Sequence, residues 1–451
     1  MIRQHVPAAA GQGAGWSRRA LLAGCGLAGG LALAGCAEKS RPAIVDQGGP
    51  AASDPHARAL KQILDRRAKA MEQGDERAFL ADLDQNNAEL IRQQKMFFAN
   101  LRQFKLTTFR YIAGFFGDGK AENGVYRFAP VHEVIQLEAD AGPGGVSPAA
   151  TFQILAVQRG DQLVITELTR FTAGNAEKLD VIGLPATAPW YTTPLTVKRS
   201  GNVWLAGDAS VTDLDRYAAP AGAEARTVEQ LWGSRARFPG HVLFFTKDQN
   251  NFATWFDVGN ASNYSTTVEG YEIPQYGVRQ NGEVYREQYA GARILVNLKS
   301  ITSFEEDPRL VMRHELAHAV SSRAMAIGGL WMLGPPLWAV EGFARWTERK
   351  GEAMRRYAAP KFKGRVPTSA DFYGKDIQHN YALSSTVFDF VERIKGRETV
   401  VEFYESVIRY SDMKGESVVD LPIFEGICAR VLGMPPTDFK RRWAAFVRTG
   451  A

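Results

Sequence analysis

The sequence lacks the charge pattern of a nucleic-acid-binding protein. Its formal net charge is +5, and the first 35 residues contain Arg3, Arg18 and Arg19 but no acidic residue. Subtracting these three arginines from +5 leaves only +2 for the rest of the chain. No stripe of lysine and arginine with interleaved aromatic residues stands out elsewhere. We therefore do not expect nucleic acid as a partner.

The N-terminal region also lacks an apolar run long enough to be read as a transmembrane helix. The run LLAGCGLAGGLALAG has 15 residues, whereas a spanning helix needs about 20. It follows a polar, positively charged stretch that ends in GWSRRALL. A charged stretch followed by a short apolar segment is typical of a signal peptide, which we predict at residues 1–35.

The leader resembles two known export signals. Ser17, Arg18 and Arg19 in SRRALL resemble a twin-arginine signal. The sequence LAGC that ends at Cys36 resembles a bacterial lipobox, in which the signal peptide is cleaved before the cysteine and the cysteine is then lipidated. An earlier LAGC ends at Cys25. We favour Cys36, because cleavage at Cys25 would leave almost no apolar segment. The resemblance implies an exported protein anchored by lipid to the outer face of a bacterial cell membrane.

Cysteine is scarce, with three residues in the whole chain. With Cys25 removed and Cys36 lipidated, Cys428 is left alone, so no internal disulfide is expected. Cys428 lies in the apolar sequence IFEGICARVLG. We interpret it as a small buried hydrophobic residue rather than a catalytic thiol.

Residues 36–55 are rich in glycine, proline, alanine and serine, which indicates a flexible linker. In residues 56–190, two amphipathic helices are followed by β-rich segments, a pattern that predicts an α+β domain. ILDRRAKAMEQGDERAFLADLD and this order of elements resemble the nuclear-transport-factor-2-like cone fold. Such folds often hold a small ligand, but we find no acid/base pair in this region, and we interpret His132 as a structural histidine.

The sequence MRHELAHAV places two of the chain's seven histidines four residues apart. Asp307 can cap the helix that carries them, and Pro308 suits its first position. His314 and His318 then project from one side of the helix and can reach a single metal ion. Glu315 lies about 100° away around the helix, close enough to hold a water molecule without being a ligand.

A catalytic zinc ion takes three protein ligands, so a third is needed. Glu341 is the candidate, in the apolar sequence PPLWAVEGFARW of a second helix that begins after Pro335 and Pro336. A buried carboxylate there needs a partner, and zinc would provide one. The alternative places Glu341 on the solvent-exposed face of the helix.

We predict a second domain at residues 191–451. From about residue 200 to 451 the sequence resembles the gluzincin metallopeptidases, and more narrowly the peptidase-MA-like domains of bacterial exported lipoproteins. The resemblance is carried by ARILVNL, VMRHELAHAV, PLWAVEGFARW, NYALSSTVFDFVERIKG and VLGMPPTDFKRRWAAFV. It implies one Zn²⁺ ion bound by His314, His318 and Glu341, with Glu315 as catalytic base. The gap from His318 to Glu341 is longer than in the best-known gluzincins, and Arg345 stands where some of them have a supporting acid.

The resemblance also implies an α+β fold in which the cone-like domain precedes a mostly helical peptidase domain with a small antiparallel sheet. Stabilisation of an oxyanion is assigned to Tyr381, which matches a family tyrosine, or to His379, which is merely near it; simple packing of Tyr381 is the alternative. ARILVNL is either an edge strand that pairs with a peptide substrate or an interior strand.

We therefore predict a membrane-anchored exported zinc peptidase that cleaves peptides or proteins. The absence of an obvious segment for holding a free amino terminus favours an endopeptidase. The alternative function is a surface binding or scaffold lipoprotein with a structural or vestigial zinc site, in which the cone-like domain binds the ligand.

Overall fold

The computed structural model describes residues 54–113, 122–140, 146–180, 183–235, 237–257, 268–327, 334–349, 352–412 and 416–450. The predicted signal peptide, Cys36 and nearly all of the predicted linker lie outside these ranges. None of the described helices combines the length and the apolar character that crossing a membrane requires.

Helices and strands are mixed along the chain, which confirms the α+β class. The helices are α1 (Pro55–Gln73), α2 (Glu76–Leu80), α3 (Ala88–Leu101), α4 (Ala176–Leu179), α5 (Asp215–Trp232), α6 (Gln249–Thr254), α7 (Leu298–Ser303), α8 (Pro308–Ser321), α9 (Leu337–Glu348), α10 (Glu352–Ala358), α11 (Ile377–Lys395), α12 (Arg397–Ile408), α13 (Ile423–Ile427) and α14 (Pro436–Thr449). The strands are β1 (Leu106–Ala113), β2 (Val125–Leu137), β3 (Ser147–Arg159), β4 (Gln162–Arg170), β5 (Thr196–Ser200), β6 (Val203–Gly207), β7 (His241–Thr246), β8 (Gly270–Gln275), β9 (Gly277–Val278), β10 (Val284–Tyr285) and β11 (Gly291–Asn297).

The N-terminal unit consists of α1 to α3 packed against an antiparallel sheet in the order β1-β2-β3-β4. As the sequence predicts, α1 ends at Gly74, whose φ of 73° is accessible to glycine without strain, and Asp75 caps α2. The turn between β3 and β4 contains Gly160, which also has a positive φ. Local turn and cap residues therefore set the boundaries of these elements.

The second sheet has the order β5-β6-β7-β11-β8. Its two outer pairs are antiparallel, as predicted, but β6, β7 and β11 are mutually parallel, so the sheet is mixed. The reason is that α5 connects β6 to β7 as a crossover, which a parallel pair requires. ARILVNL, which covers most of β11, lies between β7 and β8 and is therefore an interior strand.

The inner strands of this sheet are buried on both faces. Leu243 and Phe245 of β7 pack with the C-terminal helices, whereas Val242 and Phe244 pack with the N-terminal unit. Because side chains alternate along a strand, such a sheet requires apolar residues at consecutive positions, as in the sequence HVLFF. The two predicted domains thus share a core, and the boundary near residue 190 remains a prediction.

A buried ion pair also joins the N-terminal unit to the second sheet. Arg293 on β11 donates two hydrogen bonds to the carboxylate of Asp140, at 2.6 and 2.8 Å, and both side chains are almost fully buried. The short strand β9 pairs with the start of β3, so the chain that leaves β8 continues directly into the first sheet. These contacts fix the position of the sheet that supports α8.

Two residues that the sequence marks as structural are buried in the fold. His132 lies on β2, and its Nδ1 is 3.0 Å from the Thr151 hydroxyl. Burial lowers the pKa of His132 to about 4, so the ring is neutral at physiological pH. Cys428 is fully buried, and burial raises its thiol pKa to about 12, which is unfavourable for a nucleophile.

The interior of the N-terminal unit holds a buried carboxylate that the sequence did not reveal. Glu133 on β2 accepts a hydrogen bond of 2.8 Å from the Tyr191 hydroxyl. Burial raises the pKa of Glu133 to about 7, although hydrogen bonds from tyrosine oppose this shift. The adjoining cavity, lined in part by Gln94, Tyr111 and Phe152, measures about 10 Å³. That volume is enough for roughly one water molecule.

We expect the Glu133→Gln variant to be more stable than the wild type at pH 8. The folded-state pKa is raised from 4.5 to about 7, so the stability linked to Glu133 is full below pH 4.5 and is lost as pH rises through 7. The loss is at most about 3 kcal/mol. Urea unfolding at pH 5 and pH 8 measures it, with exposed Glu177→Gln as the control. An equal pH dependence in both variants would contradict the expectation.

Candidate metal centre

The helix α8 carries the two histidines, and the structure confirms its predicted start. The Asp307 side chain accepts a hydrogen bond from the Arg309 N–H, and Pro308 occupies the first position. From Val311 to Ser321 the helix is buried apart from Arg313, and the side chains of His314, Glu315 and His318 have essentially no exposed surface. The motif residues therefore lie inside the protein.

Contacts with α5 and β8 fix the orientation of α8. The buried carboxylate of Glu224 on α5 accepts hydrogen bonds from Arg309 at 2.9 Å and Arg313 at 2.6 Å. On the other side, β8 passes directly over Glu315. A Cβ atom at Gly270 would lie 3.0 Å from a carboxylate oxygen of Glu315, so only glycine leaves that carboxylate its space.

The helix α9 brings Glu341 to the histidines. Its first residue, Leu337, donates its N–H to the Ser369 hydroxyl, which takes the place of a capping side chain in the preceding residues. Gly342 faces α11 so closely that a Cβ atom would lie 2.8 Å from the Ser384 backbone. Glu341 is fully buried. The alternative that it lies on the solvent-exposed face is wrong, since α9 packs between α8 and α11.

The three side chains converge with a spacing that fits zinc. Glu341 Oε2 lies 3.3 Å from His314 Nε2 and 3.6 Å from His318 Nε2. One ligand atom from each of the three residues lies within 4.8 Å of the others. Two ligand atoms bound to zinc at 2.0–2.1 Å with a tetrahedral angle are about 3.3 Å apart. The donor set of two imidazoles and a carboxylate is also one that zinc accepts.

A second glutamate supports His314. Glu348, two helical turns beyond Glu341, accepts a hydrogen bond of 3.1 Å from His314 Nδ1. This leaves Nε2 facing Glu341 and available to a metal ion. Arg345 is not a substitute for the supporting acid; it donates to Glu348 at 3.0 and 3.2 Å and so helps to hold it. Glu348 was not predicted from the sequence, although a spacing of seven residues places it on the same face of α9 as Glu341.

The charges of this buried cluster are strongly coupled. Burial disfavours protonated His314, but hydrogen bonds to Glu341 and Glu348 outweigh it and raise the pKa of His314 to about 9. Burial likewise opposes ionisation of Glu341, but hydrogen bonds from His314 and His318 hold its pKa well below the usual value. The cluster therefore attracts positive charge, which a divalent cation supplies.

The structure distinguishes the two candidates for oxyanion stabilisation. Tyr381 on α11 is buried, and its ring centroid lies 6.0 Å from that of His314. Burial, together with the nearby Glu341 and Glu315 carboxylates, raises the pKa of the Tyr381 hydroxyl well above its usual value, so the group is a neutral O–H donor. His379 is two positions away on the helix and interacts electrostatically with Asp376 and Lys361 outside the cluster. Of the two, Tyr381 is the one placed next to the histidines.

Tyr373 is a further residue that the sequence did not single out. It lies outside any helix or strand, and its hydroxyl donates a hydrogen bond to Glu341 Oε1. No local pattern indicates this contact, because 32 residues separate the two side chains along the chain. In the apolar segment between the motif helices, Met325 is buried in the core, whereas residues 328–333 lie outside the described ranges.

No protein-family model and no curated protein matches the sequence. Among solved structures, the chain is similar to a mutant two-domain M1 zinc metallopeptidase bound to L-arginine, with 13% identity and a TM-score of 0.34 over 67% of this chain and 61% of that one. It is also similar to an M1 zinc metallopeptidase from Deinococcus radiodurans, with 11% identity and a TM-score of 0.33 over 68% of this chain and 62% of that one. The matched region thus spans about three fifths of those structures.

We expect Gly342→Ala to weaken both folding and metal binding. The added methyl group would collide with the backbone at Ser384, so α9 must shift and carry Glu341 with it. Overpacking of this kind costs about 1–3 kcal/mol. Urea unfolding and zinc content measure the two effects. Gly426→Ala on α13 is a matched control, because nothing lies within 4 Å of its Cβ position; equal behaviour of both variants would contradict the close packing of α9.

Proposed function

We propose that the protein is a zinc-dependent peptidase. The observation that carries the proposal is the convergence of His314, His318 and Glu341, with Glu341 Oε2 at 3.3 and 3.6 Å from the two Nε2 atoms and Glu315 beside them. A structural zinc site usually has four protein ligands, whereas three ligands leave one position for water or substrate.

The residues around the site supply the steps of amide hydrolysis. Bound zinc would polarise the substrate carbonyl and lower the pKa of a bound water. Glu315 then takes a proton from the attacking water and transfers it to the leaving amine. Tyr381 is a candidate donor to the oxyanion, since it is buried beside His314 and its hydroxyl stays protonated.

A peptide substrate would pair with β8 rather than with β11. In the described part of the sheet, β8 is the last strand, and it passes over Glu315 at Gly270. Strand addition to such an edge gives main-chain hydrogen bonds that do not depend on the peptide's sequence. This placement would hold a scissile bond next to the general base.

We further propose that the peptidase is an exported lipoprotein anchored through Cys36 to the outer face of a bacterial cell membrane. The support is the leader sequence, with SRRALL and LAGC in the order and spacing of an export signal followed by a lipobox. The linker of residues 36–55 would separate the anchor from α1.

The cavity beside Glu133 does not support the alternative of a ligand-binding lipoprotein. The cavity beside Glu133 has a volume of about 10 Å³, which suits a single water molecule rather than a small organic ligand. A purely structural zinc site would also have no use for Glu315, which lies buried beside the ligands.

We expect Glu315→Gln to abolish hydrolysis while leaving zinc binding intact. Glutamine keeps the size of the side chain but cannot accept the proton, and loss of a general base lowers the rate about 10²–10⁴-fold. The measurements are casein hydrolysis and zinc content of the purified proteins, with exposed Glu398→Gln as the control. If the wild type binds one zinc ion but cleaves neither casein nor a broad peptide library, the peptidase proposal is wrong.

A further inference from the structure

The two carboxylate oxygens of Glu341 have different partners. Oε2 faces His314 and His318, at 3.3 and 3.6 Å from their Nε2 atoms. Oε1 points the other way and accepts a hydrogen bond of 2.5 Å from the Tyr373 hydroxyl. The carboxylate therefore meets the two histidines through Oε2 and Tyr373 through Oε1.

From this division we propose that Tyr373 is a positioning residue that makes Glu341 a one-oxygen ligand of the zinc ion. The inference rests on the zinc site of the proposed function, but not on hydrolysis itself. By occupying Oε1, the Tyr373 hydroxyl keeps that oxygen away from the metal ion. Glu341 then contributes one bond through Oε2, and the fourth position stays available to water or substrate.

The segment that carries Tyr373 is held firmly in place. The Ser369 hydroxyl accepts the Leu337 N–H at the start of α9 and donates to the buried carboxylate of Asp412. On the other side of Tyr373, the Asn380 side chain donates to the carbonyl oxygen of Phe372 at 2.8 Å. The segment is thus fixed both to α9, which carries Glu341, and to α11, which carries Tyr381.

Phe372 separates the two tyrosines of the site. Its buried ring packs edge-on against Tyr373 and against Tyr381, with centroid distances of 5.3 Å in both cases. Rings packed in this way have little freedom to rotate away from their hydrogen-bond partners. Tyr373 therefore stays directed at Glu341, while Tyr381 stays beside His314.

This geometry assigns different tasks to the two hydroxyl groups. The Tyr373 hydroxyl is already engaged with Glu341 Oε1, so it acts on the ligand rather than on a substrate. Tyr381 is buried with its ring centroid 6.0 Å from that of His314, a position from which its hydroxyl would reach a reacting group at the cluster. Removing each hydroxyl should therefore affect different measurable properties.

The experiment compares zinc affinity, measured by competition with a chelator, in the full-length protein and its Tyr→Phe variants. We expect Tyr373→Phe to weaken zinc binding about 10- to 100-fold, the usual effect of losing a partner of a metal ligand. Tyr381→Phe should lower the rate of casein hydrolysis and weaken zinc binding less than Tyr373→Phe does. Tyr357→Phe, on the exposed surface of α10, should change neither property.

A spectroscopic measurement tests the geometry directly. In the cobalt-substituted protein, a Glu341 freed by Tyr373→Phe can bind through both oxygens, which raises the coordination number and changes the visible absorption spectrum. Asn380→Ala, which loosens the segment without touching Glu341, should weaken zinc binding by a smaller factor in the same direction. Circular dichroism of the metal-free proteins verifies that every variant is folded.

The outcomes separate this inference from the proposed function. If the wild type binds zinc and Tyr373→Phe binds it equally well with an unchanged cobalt spectrum, the role of Tyr373 is refuted while the peptidase proposal stands. If zinc affinity falls as expected but the wild type hydrolyses nothing, the positioning role holds and the peptidase proposal fails. If the wild type binds zinc no better than a His314→Ala, His318→Ala double variant, both are wrong.

Discussion

The structure depends on a cluster of ionisable side chains enclosed in an apolar core. His314, His318, Glu315, Glu341 and Glu348 have essentially no exposed surface. An isolated buried carboxylate is too costly to keep, so each must be matched by a proton, a hydrogen bond or a cation. A divalent cation between the two histidines and Glu341 would balance this arrangement. The helices α8 and α9 bring the histidines and glutamates close enough together for their charges to be matched.

Three helices meet at the cluster, and each is held there by contacts outside it. The buried Glu224 carboxylate ties α8 to α5 through two arginines. The close approach at Gly342 sets the distance between α9 and α11. The Ser369 hydroxyl accepts the Leu337 N–H and so connects the start of α9 to the segment that carries Tyr373, while it donates to Asp412. The candidate metal site is therefore a product of helix packing, and no single motif defines it.

The N-terminal unit contributes to this arrangement through the second sheet. That sheet is buried on one face by the helices of the metal centre and on the other by the N-terminal unit. The Arg293–Asp140 ion pair adds a charged contact, which forms only when β11 of the second sheet lies beside Asp140 of the N-terminal unit. Since β8 passes over Glu315 and the chain then runs into the first sheet through β9, the N-terminal unit helps to position the edge of the candidate active site.

The sequence alone determined the features that depend on neighbouring residues. Asp307 and Pro308 identify the start of α8, and the four-residue spacing of His314 and His318 places both on one side of it. The apolar surroundings of Glu341 indicated a buried carboxylate, but only the packing of α9 between α8 and α11 decided that it meets the histidines. Glu348 and Tyr373 emerged from the tertiary structure, because their partners lie 34 and 32 residues away and periodicity carries no information at that range. The parallel pairing of β11 was likewise decided by the crossover through α5, which brings distant strands together in a way that no local pattern specifies.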